Sequence, residues 1–244
     1  MYQQSENNYQ KNRKSAYVSV FDDTINFALQ LNSNLWTAEE LNILQLCSED
    51  SLSEGSRLIL SRLSLRKSKW LKSTSIAHYI PYGSQPNLET TEIFNQSLDI
   101  LENHAFIEYL TSKTGFETAF EAVKSCFLLD DLTILYKKLT TTKNINNSNK
   151  TFNKERLVES IYHAVCTQKT LFGQTLLHKF ASTVIEILRD ISHITKSSHH
   201  IQAVQSNKAY SSKNILRILR INPKILDLLR RCQRLYQVNI HTMY

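Results

Sequence analysis

Glycine and proline are scarce in this chain, with four Gly and three Pro in 244 residues. Hairpins, sandwiches and barrels draw on those two residues for their tight turns, so all-β architectures are disfavoured. No GxGxxG and no glycine–lysine pair occurs, which leaves no Gly-rich loop to cradle a nucleotide phosphate. A GxSxG elbow, the seat of a hydrolase nucleophile, is missing too. The four cysteines, Cys47, Cys126, Cys166 and Cys232, form no CxxC, and no HExxH accompanies them. They read as reduced, mostly buried thiols rather than metal ligands. His199–His200 are adjacent, and neighbouring side chains diverge on most backbones, so no metal is expected there. No apolar run approaches the roughly 20 residues that cross a bilayer. The first twenty residues lack the apolar h-region of a secretory signal, and a soluble intracellular chain is the expectation.

A two-metal nuclease of the PD-(D/E)xK kind needs carboxylates for divalent ions and a lysine beside the attacking water. Pro81, Pro86 and Pro223 are followed by Tyr, Asn and Lys, and no Glu-x-Lys or Asp-x-Lys occurs anywhere. That catalytic core is absent as a linear motif, so no residue is assigned to catalysis.

What the chain does have is a 41% hydrophobic content, enough for a core, and an uneven positive charge of +7. Residues 57–72 hold Arg57, Arg62, Arg66, Lys67, Lys69 and Lys72 without an acid. An acidic block follows over 73–136, and a second basic stretch carries Lys137, Lys138, Lys143, Lys150, Lys154 and Arg156. From 201 onward eight bases face only Asp227. Basic islands around an acidic block fit an oriented molecule that meets an anionic polymer, since each neutralised phosphate releases counterions. Solvated helix faces give the same pattern.

The periodicity is helical nearly throughout, and the expected fold is mostly α. A polar, disordered tail is expected over 1–15. Val18, Phe21, Ile25 and Leu29 then mark a first helix. A second follows Trp36, with Thr37 and Glu40 spaced as a capping box. A third is expected from near Ser51, with Glu54 in the capping position and Leu58, Ile59, Leu60, Leu63 and Leu65 along it. Pro81, Gly83 and Pro86 mark a loop, after which Thr90 or Thr91 can cap a helix bearing Phe94, Leu98 and Leu101. The segment 101–110 reads either as a short strand, the ending of a winged-helix unit, or as one more helical turn. Helices are expected at 116–126 and 129–140, then an Asn-rich loop at 140–150, then a helix capped by Asn153. That helix–loop–helix, with lysines at its corner, has the outline of a SAP-like module. A helix over 175–191 is expected next, a polar linker over 192–212, and two last helices at 213–221 and 223–238. Asn222 sits at the cap of the last one and Pro223 in its first turn. The domain reading is 16–110 winged-helix-like, 111–191 SAP-like and 213–244 basic amphipathic helices.

One stretch carries more than periodicity. Residues 31–73 open with Trp36, Thr37, Glu39 and Glu40, continue through Leu52–Ser53, and close on Arg62-Leu63-x-x-Arg66-Lys67-x-x-Trp70. In order and spacing this resembles the N-terminal region of Fanconi-associated nucleases. The resemblance continues less sharply through LDILENHAFIEYL, CFLLDDLTILYKKL and NKERLVESIYHAVCTQKTLFG, covering most of 16–175. It implies the DNA-binding part, with winged-helix and SAP-like modules, of a nuclear, structure-specific DNA-repair nuclease acting at 5′ flaps and interstrand cross-links. It also implies that cleavage belongs to a C-terminal VRR-NUC domain using Mg²⁺ or Mn²⁺, which is not among these residues. No cofactor is therefore expected here, and the partner is branched or flapped DNA.

Arg66 and Lys67 are the expected phosphate contacts, with Arg62 one helical turn before Arg66 and Lys69 beyond. Lys137, Lys138, Lys143 and Lys154 are further candidates. Trp70 is expected in the core. The tail sets Ile215, Leu216, Leu219, Ile225, Leu228, Leu229 and Leu235 against Arg217, Arg220, Arg230, Arg231 and Arg234. Such helices bind membrane surfaces or grooved partners, or pack inward; packing inward, toward a downstream domain, is the reading adopted. Left uncovered, their apolar face would favour self-association. Two other functions remain compatible: a helical protein-interaction module without DNA, and a winged-helix protein that reads base sequence in the major groove.

Overall fold

The computed structural model describes residues 15–31, 33–48, 50–67, 69–80, 88–140, 153–167, 176–198 and 216–242. The Pro81–Gly83–Pro86 loop, Lys143 with the Asn-rich loop, and His199–His200 lie outside them. Among the described residues are nine α-helices: α1 (Ala16–Gln30), α2 (Ala38–Leu46), α3 (Glu54–Ser64), α4 (Leu88–Asn103), α5 (Phe116–Cys126), α6 (Leu129–Thr140), α7 (Lys154–Thr167), α8 (Leu177–Ser198) and α9 (Pro223–Thr242). Three short strands, β1 (Leu71–Lys72), β2 (Ile107–Tyr109) and β3 (Ile218–Ile221), form an antiparallel sheet in the order β1-β3-β2.

The chain divides into two compact units. The first comprises 1–68, 76–108 and 221–244; the second comprises 69–75 and 109–220. The tail expected as a separate region over 213–244 is thus divided, and α9 belongs to the first unit.

In the first unit α3 is the central helix, packed against α1, α4 and α9. Leu58, Ile59, Leu60 and Leu63 are buried, and so are Ser56, Ser61 and Ser64. Serine suits a helix enclosed on several sides because it is small and its hydroxyl can return to the backbone: Ser61 Oγ donates to the Leu58 carbonyl at 2.9 Å and Ser64 Oγ to that of Ser61 at 2.7 Å. Ser53, not Ser51, caps this helix, accepting from the Ser56 N–H at 3.1 Å. Gly55 lets α4 come close, since a Cβ there would stand 2.4 Å from Ser97 Oγ. Arg57 and Asp22 form an ion pair of 2.5 Å with both side chains buried, tying α3 to α1. The capping box at α2 is present as its spacing predicts: Glu40 N–H donates to Thr37 Oγ1 at 3.1 Å, and Thr37 N–H to Glu40 Oε2 at 2.8 Å.

α4 begins at Leu88, so Thr90 and Thr91 lie within it rather than capping it. Its end is a Schellman turn: the Phe106 N–H reaches the Leu101 carbonyl at 2.8 Å and the Ala105 N–H that of Glu102 at 2.8 Å. Ala105 takes φ 56°, the left-handed region usually given to glycine. The chain then extends into β2, so the segment 101–110 holds the end of α4 followed by a short strand, not one more helical turn. The Phe106 carbonyl accepts from the Asn222 N–H at 2.9 Å, and Asn222 in turn caps α9 through a 3.0 Å bond from the Lys224 N–H.

The apolar face of α9, Ile225, Leu226, Leu228, Leu229 and Cys232, is buried against α1 and α3. This last helix thus packs inward within the first unit. Arg231 adds a polar clamp, lying 4.6 Å above the Trp36 ring and 2.6 Å from Glu40 Oε1.

The second unit closes around a core of Val123, Phe127, Leu132, Leu135, Ile161, Val165, Phe180, Val184 and Ile187. Helices α5 and α6 fall at the expected residues. α6 and α7 pack on each other and on α8, and Asn153 caps α7 by accepting from the Arg156 N–H at 2.8 Å. Two expectations change here. α8 runs to Ser198, through the first third of the expected linker. Residues 218–221 form a strand, not a helix: Leu219 pairs with Leu71 and Ile218 with Lys72, and Leu110 N–H donates to the Ile218 carbonyl at 2.9 Å. The run ILRI suits a helix face or a buried strand equally, and its partners lie more than a hundred residues away. Trp70 is 2% exposed, the core residue that was expected, with the Arg220 guanidinium 4.6 Å from its ring centre.

Candidate nucleic-acid interface

The end of α3 sets out the basic residues in the first unit. Its last helical residue is Ser64, and Leu65 caps it; one tighter turn follows, in which the Arg66 N–H bonds the Leu63 carbonyl at 3.1 Å. Arg62 and Arg66 are therefore not on one continuous helix face. They meet instead at an aromatic ring that the sequence did not single out. Tyr79, 2% exposed, has the Arg66 guanidinium 5.0 Å and the Arg62 guanidinium 5.2 Å from its centre. The Arg62 guanidinium also lies over the ring of Tyr17 in α1, 4.5 Å from its centre. Burial raises the Tyr79 phenol above its ordinary range, outweighing the opposite pull of Arg66 and Arg62.

α9 contributes to the same place. Arg230 donates to the Arg66 carbonyl at 2.8 Å, and Gln233 Nε2 to Ser64 Oγ at 2.9 Å, so the helix is pinned along the end of α3. Arg66 and Lys67 are exposed, Arg62 and Arg230 half-buried. Among the described residues, none of these four cations has a carboxylate within salt-bridge distance. Sequence reasoning found three of the four but placed Arg230 in a separate tail. Tyr79 and Tyr17 gave no signal at all.

In the second unit the candidates are less uniform. Lys69, Lys137 and Lys154 are exposed. Lys138 is engaged by α8: its ammonium lies 2.8 Å from Glu186 Oε1 and 3.4 Å from Asp190 Oδ2, and these bonds raise its pKa. A lysine held by two carboxylates is a weaker phosphate ligand than its position at the end of α6 suggests. Lys72, basic in the same stretch as Arg66, is turned inward to Asp131 at 2.8 Å.

Three of the four thiols are held far from their reactive form. Burial pushes Cys126 up to about 12 and Cys232 up to about 11, and raises Cys47 further. The described residues gather no set of three or more His, Cys, Asp or Glu side chains that could hold a metal ion. No described helix is long and apolar enough to cross a membrane.

The chain matches no protein-family model, and no curated protein matches it significantly.

Proposed function

We propose that this chain is a DNA-binding element of the kind found at the N-terminus of Fanconi-associated nucleases. It engages branched or flapped DNA through backbone phosphates in the nucleus, during repair. The observation that carries the reading is the gathering of Arg62, Arg66, Lys67 and Arg230 at one end of α3, without carboxylate partners among the described residues. Surface cations in folded proteins usually face mixed charge; a same-sign cluster gains most from a polyanion, whose condensed counterions are released on contact. The resemblance supplies the branched substrate, and its signature residues Arg62, Arg66 and Lys67 fall inside this cluster.

The arrangement has no general base, nucleophile or metal ligand set, so its chemistry is positioning. Phosphate contacts fix the register of a duplex and leave base sequence unread. Phosphodiester hydrolysis, in this reading, is supplied by a nuclease domain outside these residues. The helix-to-strand passage from α4 into β2 and the paired helices α6 and α7 support winged-helix-like and SAP-like roles for the respective segments.

The test is binding of the chain to a 5′-flap duplex and to a matched linear duplex at two salt concentrations, beside the double variant Arg66→Ala, Lys67→Ala, with Mg²⁺ present. The expected result is tighter binding to the flap, no cleavage, and a logarithmic salt slope about 1.8 smaller in the variant, from about 0.9 for each phosphate left unneutralised. Absence of binding to either DNA, or a salt slope untouched by the double substitution, would refute the reading.

A further inference from the structure

We infer that Arg62, Arg66 and Tyr79 form a built receptor for one phosphate group, as distinct from a diffuse basic surface. The inference deepens the DNA-binding reading and rests on it for the source of that phosphate, a phosphodiester of the DNA backbone.

Both guanidinium carbons lie within 5.2 Å of one aromatic centre. A guanidinium resting over an aromatic ring is held there by the ring's negative face, which restrains the directions of the N–H bonds at its edge. Arg62 is held twice, since Tyr17 stands 4.5 Å from the same guanidinium. The Arg62 Nε is buried and has no hydrogen-bond partner among the described residues, and the Tyr79 hydroxyl is likewise buried and unpartnered. Unsatisfied buried donors are costly, and two like charges around one ring repel. One anion with several acceptor oxygens offsets both costs at once. A phosphate fits that requirement, because its oxygens accept paired N–H bonds from a planar fork. The Arg66 end is steadied from behind: Arg230 donates to the Arg66 backbone carbonyl at 2.8 Å, so α9 fixes where that residue begins. Tyr79 and Tyr17 are positioning residues: Tyr79 holds both guanidinium groups in place and Tyr17 holds that of Arg62.

A built site and a diffuse patch differ in how they respond to lysine. Lysine keeps the charge but has neither the planar fork nor the flat stack. The experiment therefore uses the double variant Arg62→Lys, Arg66→Lys in the full chain, with Lys113→Arg, at an exposed lysine that is not a candidate contact, as a control that adds a fork. Flap-DNA affinity is measured at one salt concentration, with helical content and thermal unfolding as checks on folding. In parallel, the side-chain Nε–H resonances of arginine are followed by NMR while inorganic phosphate is titrated against chloride at equal ionic strength.

The expected result is saturable phosphate-induced shifts at two arginine resonances, absent in the lysine variant, with DNA affinity reduced about tenfold there and unchanged in Lys113→Arg. DNA binding that survives the lysine exchange, with no saturable shift in the wild-type chain, would overturn the receptor and leave the DNA-binding reading standing. Saturable shifts in a chain that binds no DNA would uphold the receptor and overturn the DNA-binding reading. Should the lysine variant unfold, Tyr17→Leu serves instead, because Tyr17 is 47% exposed: the receptor predicts weaker phosphate shifts at Arg62, and unchanged shifts would refute its positioning role.

Discussion

Ala105→Gly should stabilise this protein, although a glycine is normally the more costly residue to order. Ala105 is the left-handed residue of the Schellman turn that ends α4, with φ 56° and its N–H bonded to the Glu102 carbonyl at 2.8 Å. A Cβ in that region crowds the following carbonyl and costs about 1–2 kcal/mol. Glycine removes that strain but gives up about 0.5–1 kcal/mol more backbone entropy on folding. The difference leaves a net gain of roughly 0.5–1 kcal/mol. No bond is forfeited: the Ala105 carbonyl still accepts from Asn222 Nδ2 at 3.3 Å, and the Phe106 carbonyl from the Asn222 N–H at 2.9 Å. The series Gly, Asn, Ala, Val at position 105 should fall in that order of stability, because Asn tolerates the left-handed region and a β-branched Val does not. The assay is urea unfolding followed by Trp36 fluorescence in a Trp70→Phe background, since the two tryptophans lie in different units and Trp36 reports on the first. A series in which Val equals or exceeds Ala while Gly falls below it would refute the reasoning, since it would mean residue 105 is not left-handed in solution.

Gly55→Ala should destabilise the first unit by about 1–2 kcal/mol, as overpacking outweighs the helix propensity gained; the new Cβ meets Ser97 Oγ at 2.4 Å. Adding Ser97→Ala should recover part of the loss in the same urea titration, and strict additivity of the two changes would argue against the close approach. Asp22→Ala, which leaves the Arg57 guanidinium buried without its carboxylate at 2.5 Å, should cost about 3–5 kcal/mol. The paired change Asp22→Leu, Arg57→Met should cost far less than that single change, as measured by denaturant midpoints. The Glu40 carboxylate is held below its ordinary 4.5 first by the Thr37 N–H, then by Arg231, against an opposing effect of burial. A group whose folded pKa is lowered stabilises the fold above its unfolded pKa and loses that contribution as the pH falls through the folded value. The gap in melting temperature between wild type and Glu40→Gln should thus be complete at neutral pH and close below about pH 4.5; a gap independent of pH would exclude the carboxylate as its source.

The sequence by itself determined what local chemistry decides. The capping box Thr37–Glu40, the Asn153 and Asn222 caps, Pro223 in the first turn of α9 and the bounds of α5 and α6 were all legible, because each depends on residues within one turn of itself. The basic character of residues 62–67 was legible for the same reason. Tertiary structure decided the rest. Residues 218–221 are a strand because Leu71 and Leu110 lie on either side of them, and no local window contains those partners. α9 joins the first unit because Ile225, Leu229 and Cys232 are buried against helices far earlier in the chain. The same long reach makes the candidate site: Arg62 and Arg66 acquire their geometry from Tyr79, Tyr17 and Arg230, which come from three separate stretches of chain. Charge is a property of composition and can be counted, whereas the direction in which a guanidinium points is set by what it rests on.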